Sequence, residues 1–122
     1  MSYAAYAGAQ QAAETPRDLE IRAISHITSQ LLDANKPDAE PMTRIRALNG
    51  NVRLWSLLTE YLSDPANALP DAIKASYISL GLFARRTSVA ALTTATDLST
   101  LIGLNTDVLE ALDHQRKASL AA

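Results

Sequence analysis

The five prolines of this chain constrain its fold more than any other feature, since all of them lie between positions 16 and 70. Proline fixes its own φ angle and has no N–H to donate, so it is tolerated in the first turn of a helix but disrupts the interior. Pro16, Pro41 and Pro70 each precede a segment with helical periodicity. Pro37 and Pro65 lie in the breaks between these segments. The prolines therefore predict helices that begin close to positions 16, 41 and 70.

Apolar residues recur at three- and four-residue steps after these prolines, which is the spacing of one face of a helix. The first three predicted helices end near positions 34, 63 and 91. The apolar stripe of the first helix is Ile21, Ile24, Ile27, Leu31 and Leu32. That of the second is Ile45, Leu48, Val52, Trp55, Leu58 and Leu62, widened by Leu54, Leu57 and Tyr61.

A fourth helix is predicted after a β-branched polar break at residues 93–96. Thr96 or Asp97 can cap it, since a side-chain oxygen at that position accepts a hydrogen bond from an early N–H. Its apolar pattern fades near residues 115–117. Four helices joined by short connections favour an all-α, antiparallel bundle. The stripe of the fourth helix is Leu98, Leu101, Ile102, Val108, Leu109 and Leu112.

Residues 1–14 are rich in alanine and only weakly patterned, so we interpret them as a tail, with helix formation on a partner as the alternative. Residues 15–122 then form a single helical-bundle domain. The start of the chain lacks the basic and apolar regions of a signal peptide, and no run approaches the roughly 18 apolar residues of a membrane helix. We therefore expect a cytoplasmic protein that does not enter a membrane.

Catalytic and ligand-binding motifs are scarce. The chain has no cysteine, and neither His26 nor His114 has a ligand partner at metal-binding spacing, so we expect both histidines at the surface. The four glycines are isolated and form no phosphate-binding loop. We therefore expect no metal, no other cofactor and no enzyme activity.

A set of arginines is the one feature that resembles a binding surface for RNA. The net charge of −2 and the absence of aromatic residues among these arginines argue against direct RNA binding. We interpret Arg85 and Arg86 as the point where the third helix leaves the core. The set comprises Arg44, Arg46, Arg53, Arg85 and Arg86.

The third helix contains ten consecutive uncharged residues at positions 75–84. Small residues form a second sector of this helix, namely Ala72, Ala75, Ser76 and Ser79, and Gly81 lacks a side chain altogether. Small residues allow the backbone of a neighbour to approach closely. A helix that is apolar nearly all round is buried on most sides, yet no helix of a four-helix bundle is fully surrounded. We therefore expect part of this helix to be covered, either by the first segment folding back or by a partner. Its larger stripe is Ile73, Tyr77, Leu80 and Ala84.

Asn105 interrupts the apolar stripe of the fourth helix, four residues after Leu101 and three before Val108. A buried asparagine is costly unless it is hydrogen-bonded, and such residues often fix the register of helices. We expect Asn105 to bond to the end of a neighbouring helix.

Residues 51–83 resemble the FlaF family of flagellar biosynthesis regulators. The motifs that carry the resemblance are an Asn-x-x-Leu-Trp sequence, an Asn-x-Leu-Pro sequence and an Ile-Ser-Leu-Gly sequence. They comprise Asn51, Leu54, Trp55, Asn67, Leu69, Pro70, Ile78, Ser79, Leu80 and Gly81. Both ends of the chain are also similar to the family, through Tyr6, Thr15, Pro16, Arg17, Glu20 and Arg22 and through Leu101, Asn105 and Leu112.

The resemblance implies a non-enzymatic protein that binds flagellin, as a secretion chaperone and as a regulator of flagellin synthesis and export, alongside the regulator FlbT. Surplus apolar helix surface suits this role, because a groove can shelter an amphipathic helix. Two alternatives stay open: control of flagellin mRNA, directly or through FlbT, and an adaptor whose groove is only a dimer interface.

Partner contact is expected from large or basic side chains of the second and third helices: Trp55, Tyr61, Tyr77, Leu80, Phe83, Arg85 and Arg86. For Trp55 and Tyr77 individually, a place in the core is the favoured explanation of the pattern. A structural role is expected for the remaining motif positions, namely Asn51, Leu54, Asn67, Leu69, Pro70, Gly81 and Asn105.

Overall fold

The computed structural model describes residues 16–121, and the predicted tail at 1–14 lies outside the described residues. Four helices account for most of the described chain, and no strand occurs within it. The prediction of an all-α bundle of four helices is confirmed. The helices are α1 (Pro16–Ala34), α2 (Pro41–Ser63), α3 (Asp71–Ala91) and α4 (Ser99–Ala121).

Prolines mark the starts of α2 and α3, as the sequence predicts. Pro41 is the first residue of α2, and Pro70 directly precedes α3. The Pro70 carbonyl accepts the N–H groups of Ile73 and Lys74, both at 3.0 Å, and so begins the hydrogen-bond ladder of α3. Because proline has no N–H to satisfy, it lies at these helix starts without cost.

Asp97 rather than Thr96 caps α4. Its Oδ1 accepts the backbone N–H of Ser99 at 2.8 Å and the Ser99 hydroxyl at 2.6 Å. Asn35, just after α1, donates to the same Oδ1 at 3.0 Å and accepts the N–H of Leu98 at 2.9 Å. The end of α1 is therefore joined to the start of α4.

The four helices form a ring that is closed on three sides. The α2–α3 contact is the most extensive, and α1 packs against both α2 and α4. In contrast, α3 and α4 approach each other at only a few positions. Within residues 16–121, the fourth side of the bundle is therefore open.

The core lies along the axis of this ring, where each helix contributes part of its predicted stripe. Some residues that the periodicity placed on apolar faces are more than a third exposed, because a helix with two neighbours leaves the edges of a wide stripe in solvent. The buried cluster includes Ile24, Leu31, Leu48, Leu54, Trp55, Leu98, Leu101, Val108 and Leu112. In α1 and α2 the exposed members of the stripes are Leu32, Ile45, Leu57 and Tyr61.

The helix α4 extends to Ala121 instead of fading near residues 115–117. Arg116 and Lys117 pair with Asp113 at 2.7 and 3.1 Å, and Arg116 also reaches Asp18 of α1 at 3.3 Å. Pairs at these spacings support a helix modestly. No helix among the described residues is long and apolar enough to cross a membrane.

Candidate functional site

Small residues form the buried seam of α3. Gly81, Ala84, Ser88 and Ala91 are buried, whereas five larger apolar side chains of this helix are exposed. A Cβ atom at Gly81 would collide with the Thr59 hydroxyl and lie 3.3 Å from the Trp55 ring. The α3 backbone therefore lies directly against α2, and only small residues fit between the two helices.

This close approach corrects the larger stripe predicted for α3. Ala84 is buried and Tyr77 is half-buried, but Ile73 and Leu80 are 43% and 38% exposed. Because the small residues take the seam, the large ones are left facing outward. The exposed apolar residues of α3 are Ile73, Leu80, Leu82, Phe83 and Val89.

An apolar groove runs along the open side of the bundle, and we call it the α3–α4 groove. It is defined by Ile73, Tyr77, Leu80, Gly103, Leu104, Val108 and Ala111. Polar side chains lie at its edges, among them Ser76 of α3 and Ser99, Thr100 and Asp107 of α4. An apolar floor with a polar rim is the usual anatomy of a protein-binding surface.

A second concavity, the end cavity, lies where α1 begins and where α2 and α3 are joined. Its volume is about 300 Å³. Its apolar lining includes Ile24, Trp55, Leu58, Tyr61, Leu62, Leu69, Tyr77, Val108 and Leu112. Its polar lining is Arg17, Glu20, Asn67 and Gln115. Tyr77 and Val108 line both this cavity and the α3–α4 groove.

Three of the polar side chains of the end cavity, those of Arg17, Glu20 and Gln115, are held together. The Arg17 guanidinium donates to Gln115 Oε1 at 2.6 Å and lies 3.7 Å from the Glu20 carboxylate. Burial raises the pKa of Glu20, and the nearby Arg17 charge opposes that rise only in part. Partial burial at this edge of the cavity therefore disfavours the charged form of Glu20.

A chain of buried hydrogen bonds crosses the core from α4 through α2 to α3. Trp55 Nε1 donates to Asn105 Oδ1, Asn105 Nδ2 donates to Asn51 Oδ1, and each of these bonds is 2.9 Å long. Asn51 Nδ2 then donates to the Ser88 hydroxyl at 2.9 Å, which itself donates to the Ala84 carbonyl at 2.6 Å. Asn105 is thus bonded to a neighbouring helix as expected, but at its middle instead of its end.

The predicted partner-binding residues do not form one surface. Trp55 is only 1% exposed and belongs to the core, while Tyr61 and Tyr77 line the end cavity. Leu80 lies in the α3–α4 groove, and Phe83 is exposed outside it. Helix periodicity could not separate these positions, because it does not reveal which side of a helix its neighbours leave open.

The predicted structural positions occupy several kinds of site. Asn67 Oδ1 accepts the N–H of Leu69 at 3.0 Å, which shapes the turn before Pro70 and brings Leu69 to the end cavity. Asn51 and Asn105 belong to the buried hydrogen-bond chain, and Leu54 and Gly81 are buried.

The arginines differ in their surroundings. Arg44 donates through one nitrogen to the carbonyls of Ala91, Thr94 and Thr96 at 3.3, 3.0 and 2.8 Å, so it fastens the α3–α4 connection. Arg46, Arg53 and Arg86 are exposed, and Arg85 is half-buried. His26 and His114 are exposed, as predicted. Among the described residues no group of three or more His, Cys, Asp or Glu side chains could hold a metal ion.

Sequence analysis missed Ser88 and Leu104. Ser88 looked like one of many small residues, and nothing in its spacing marked it as the acceptor for Asn51. Leu104 could have been found, since Leu101, Leu104 and Val108 step by three and four along the predicted stripe of α4.

Among the described residues the fold is a four-helix bundle, one side of which is open and partly apolar. The family model of flagellar protein FlaF matches residues 2–112, so this chain is a member of the FlaF family. It is therefore a flagellar protein, and the resemblance seen in the sequence is confirmed. No curated protein and no solved structure gives a significant match.

Proposed function

We propose that this protein is a non-enzymatic chaperone of flagellin that holds an amphipathic helix of flagellin in the α3–α4 groove, and that it thereby regulates flagellin synthesis and export. The observation that carries this role is the open side of the bundle, where α3 and α4 hardly touch. A fifth helix laid in the groove would complete the ring. Membership of a flagellar family supports flagellin as its source.

The groove has the composition that a helical segment requires. Leu80 and Leu104 face each other across its floor near Val108, and Gly103 leaves room for close approach. An amphipathic helix places anchors at three- and four-residue steps along such a floor. Covering these residues would remove apolar surface from water and would occupy the flagellin face that otherwise assembles into the filament.

The test is calorimetric titration of the protein with full-length and terminally truncated flagellin. We expect micromolar or tighter binding that is lost when one terminal segment is removed. The variant Leu80→Asp should weaken binding at least tenfold, because it would bury an unpaired carboxylate in the groove. Leu82→Asp is the matched control, since Leu82 is an exposed leucine of the same helix outside the groove.

Equal losses in the two variants, with unchanged melting temperatures, would contradict the assignment to the groove. If no form of flagellin bound, the alternative of post-transcriptional control would take its place, and FlbT and flagellin mRNA would be titrated next. A salt-sensitive RNA affinity that Arg85→Glu/Arg86→Glu abolishes would then establish direct action on RNA.

A further inference from the structure

The basic side chains of this chain divide into two groups. Most of its lysines and arginines form a hydrogen bond or an ion pair, as Arg17, Arg44 and Arg116 do. Four arginines form neither within residues 16–121, and all four belong to α2 and α3. They are Arg46, Arg53, Arg85 and Arg86.

The unpaired arginines of α3 lie beside exposed aliphatic residues. Three residues of this helix each directly follow a member of its buried seam, so they lie about 100° further round the helix axis. These three residues are Leu82, Arg85 and Val89, which follow Gly81, Ala84 and Ser88. Leu80, which precedes Gly81, lies on the other flank and lines the α3–α4 groove.

The corresponding flank of α2 adjoins the same surface. The two helices are antiparallel, since Asn51 bonds to Ser88 whereas Thr59 lies against Gly81. Antiparallel helices are related by a twofold axis, so residues that follow the seam on either helix lie on the same side of the pair. Val52 follows Asn51 and is half-buried at this edge.

We call this surface the arginine face. Leu82 and Val89 are 46% and 53% exposed, and Arg53 and Arg86 are exposed as well. Because Asn51 is level with Ser88, Arg53 is level with Arg86, two residues further along the pair. The arginine face comprises Val52, Arg53, Leu82, Arg85, Arg86 and Val89.

The arginine face is positively charged although the chain carries a net charge of −2. Glu60 and Asp71 are the acidic residues of α2 and α3, and both lie near the connection between these helices. The four unpaired arginines lie further from that connection. The charges of this helix pair are therefore separated along its length, and the arginine face has no carboxylate of its own.

Arg85 is prepared to bind an anion. Its side chain is half-buried, and its Nε atom is inaccessible to water and has no hydrogen-bond acceptor. A half-buried side chain has already lost much of its freedom, so pairing costs it less entropy. Its planar guanidinium matches a carboxylate through two parallel hydrogen bonds.

We propose that the arginine face binds an acidic amphipathic helix of a partner protein. Carboxylates of that helix pair with the arginines, and its aliphatic side chains cover Leu82 and Val89, which lie two turns apart. RNA suits this surface less, because the arginine face holds no aromatic side chain on which bases could stack. The surface lies on the flank of α3 opposite the α3–α4 groove, so the proposal is independent of flagellin binding there.

The test uses the full chain and a synthetic helix-forming peptide with leucines at steps of three and four residues and glutamates beside them. A second peptide carries glutamine in place of each glutamate. Calorimetric titration should show at least tenfold tighter binding of the glutamate peptide, with an affinity that falls as salt is raised. In methyl spectra the peptide should shift Val52, Leu82 and Val89 and leave Leu104 of the groove unchanged.

Matched variants separate the arginine face from overall charge. Arg85→Gln/Arg86→Gln should weaken binding of the glutamate peptide at least fivefold. Lys36→Gln/Lys117→Gln removes the same charge at exposed positions elsewhere and should leave the affinity within twofold. Arg53→Gln, at a fully exposed position, repeats the test if the loss of Arg85 lowers the melting temperature.

A further variant, Leu82→Ser/Val89→Ser, tests the apolar contribution and should also weaken binding at least fivefold. Equal binding of the two peptides, or equal losses in the arginine and lysine variants, would overturn the proposal. So would tighter binding of oligouridylate or of phosphatidylglycerol vesicles that depends on Arg85 and Arg86 but not on Leu82 and Val89. That result would assign the arginine face to a phosphate-bearing partner.

Discussion

At the scale of single residues, Asn105 shows how a polar side chain specifies this core. It accepts from the indole N–H of Trp55 and donates to Asn51, and all three residues are essentially inaccessible to water. Each of these groups would otherwise be a buried polar atom without a partner. The network joins α4 to α2 across the bundle, although the backbones of these helices are not in contact. The network therefore fixes the register between α2 and α4, which lie diagonally across the bundle.

We predict that Asn105→Leu lowers the free energy of unfolding by about 3 kcal/mol, since it leaves the Trp55 N–H and the Asn51 carbonyl oxygen buried without partners. Urea unfolding monitored by circular dichroism measures the change. Asn49→Leu, the same substitution at an exposed position of α2, should change the stability by less than about 0.5 kcal/mol. Similar effects of the two variants would contradict the structural role of the network.

The hydrogen bonds that Asp97 accepts predict that the stability of the protein depends on pH. The Ser99 hydroxyl, the Ser99 N–H and the Asn35 amide hold the pKa of this carboxyl below its ordinary value of 3.8. Its folded pKa is depressed, so its stabilising effect is complete above about pH 4 and is lost as the pH falls through the folded pKa. Asp97→Asn retains an oxygen acceptor but does not titrate.

We therefore expect Asp97→Asn to be less stable than the parent protein near pH 7, because it lacks the charge, and to lose less stability on acidification, so that the two curves converge at low pH. The measurement is the urea midpoint from about pH 7 to about pH 2.5. Asp38→Asn, at an exposed position in the α1–α2 connection, is the control and should follow the parent curve. A parent-like acid loss in Asp97→Asn would exclude this carboxylate as its source.

At the scale of helices, the packing of α3 decides where a partner can bind. Its small residues lie against α2, and its leucines and phenylalanine are left on the outside. A seam of larger side chains would hold α3 further from α2 and would turn these residues toward the core. The exposed apolar face is thus a direct consequence of Gly81 and the buried small residues that follow it.

Gly81→Ala tests this packing. Alanine favours a helix by about 1 kcal/mol over glycine, but the new Cβ would press on Thr59 and Trp55. We expect a net loss of about 1 kcal/mol, partly recovered when Thr59→Ala is added. Gly103→Ala is the matched control, since nothing lies within 4 Å of a Cβ there, and it should gain up to about 1 kcal/mol. Thermal unfolding that ranks the two glycine variants in the opposite order would contradict the close α2–α3 contact.

At the scale of the whole molecule, the bundle has three closed sides and one open side, so its helices differ in how many neighbours they pack against. The helices α1 and α2 each have two extensive neighbours, whereas α3 and α4 each lack one. Regions with fewer packed neighbours open locally at lower free energy. A partner in the groove would supply the missing contact to both helices at once.

We accordingly predict that hydrogen exchange slows most in α3 and α4 when flagellin is added, with smaller changes in α1. The residues of interest are 73–80 and 101–111, which flank the groove. Flagellin without the binding segment is the control and should leave exchange unaltered. A gain in protection concentrated in α1 and α2 would place the partner on the closed side of the molecule.

Much of the architecture was predictable because it depends on local chemistry. Proline at helix starts and apolar steps of three and four residues defined all four helices, and the last extends four residues beyond its predicted fade. The motif spacing also led to the correct family. These properties depend on neighbours along the chain, which a sequence displays directly.

The candidate site depended on distances between helices, which no local pattern reveals. The sequence grouped Trp55, Tyr77 and Leu80 as expected partner contacts, although a core position was the favoured explanation for the first two. Only the tertiary structure placed the first in the core, the second between cavity and groove, and the third in the groove. The physical reason is the close contact at Gly81, which sets the rotation of α3 about its axis and so decides which of its residues remain exposed.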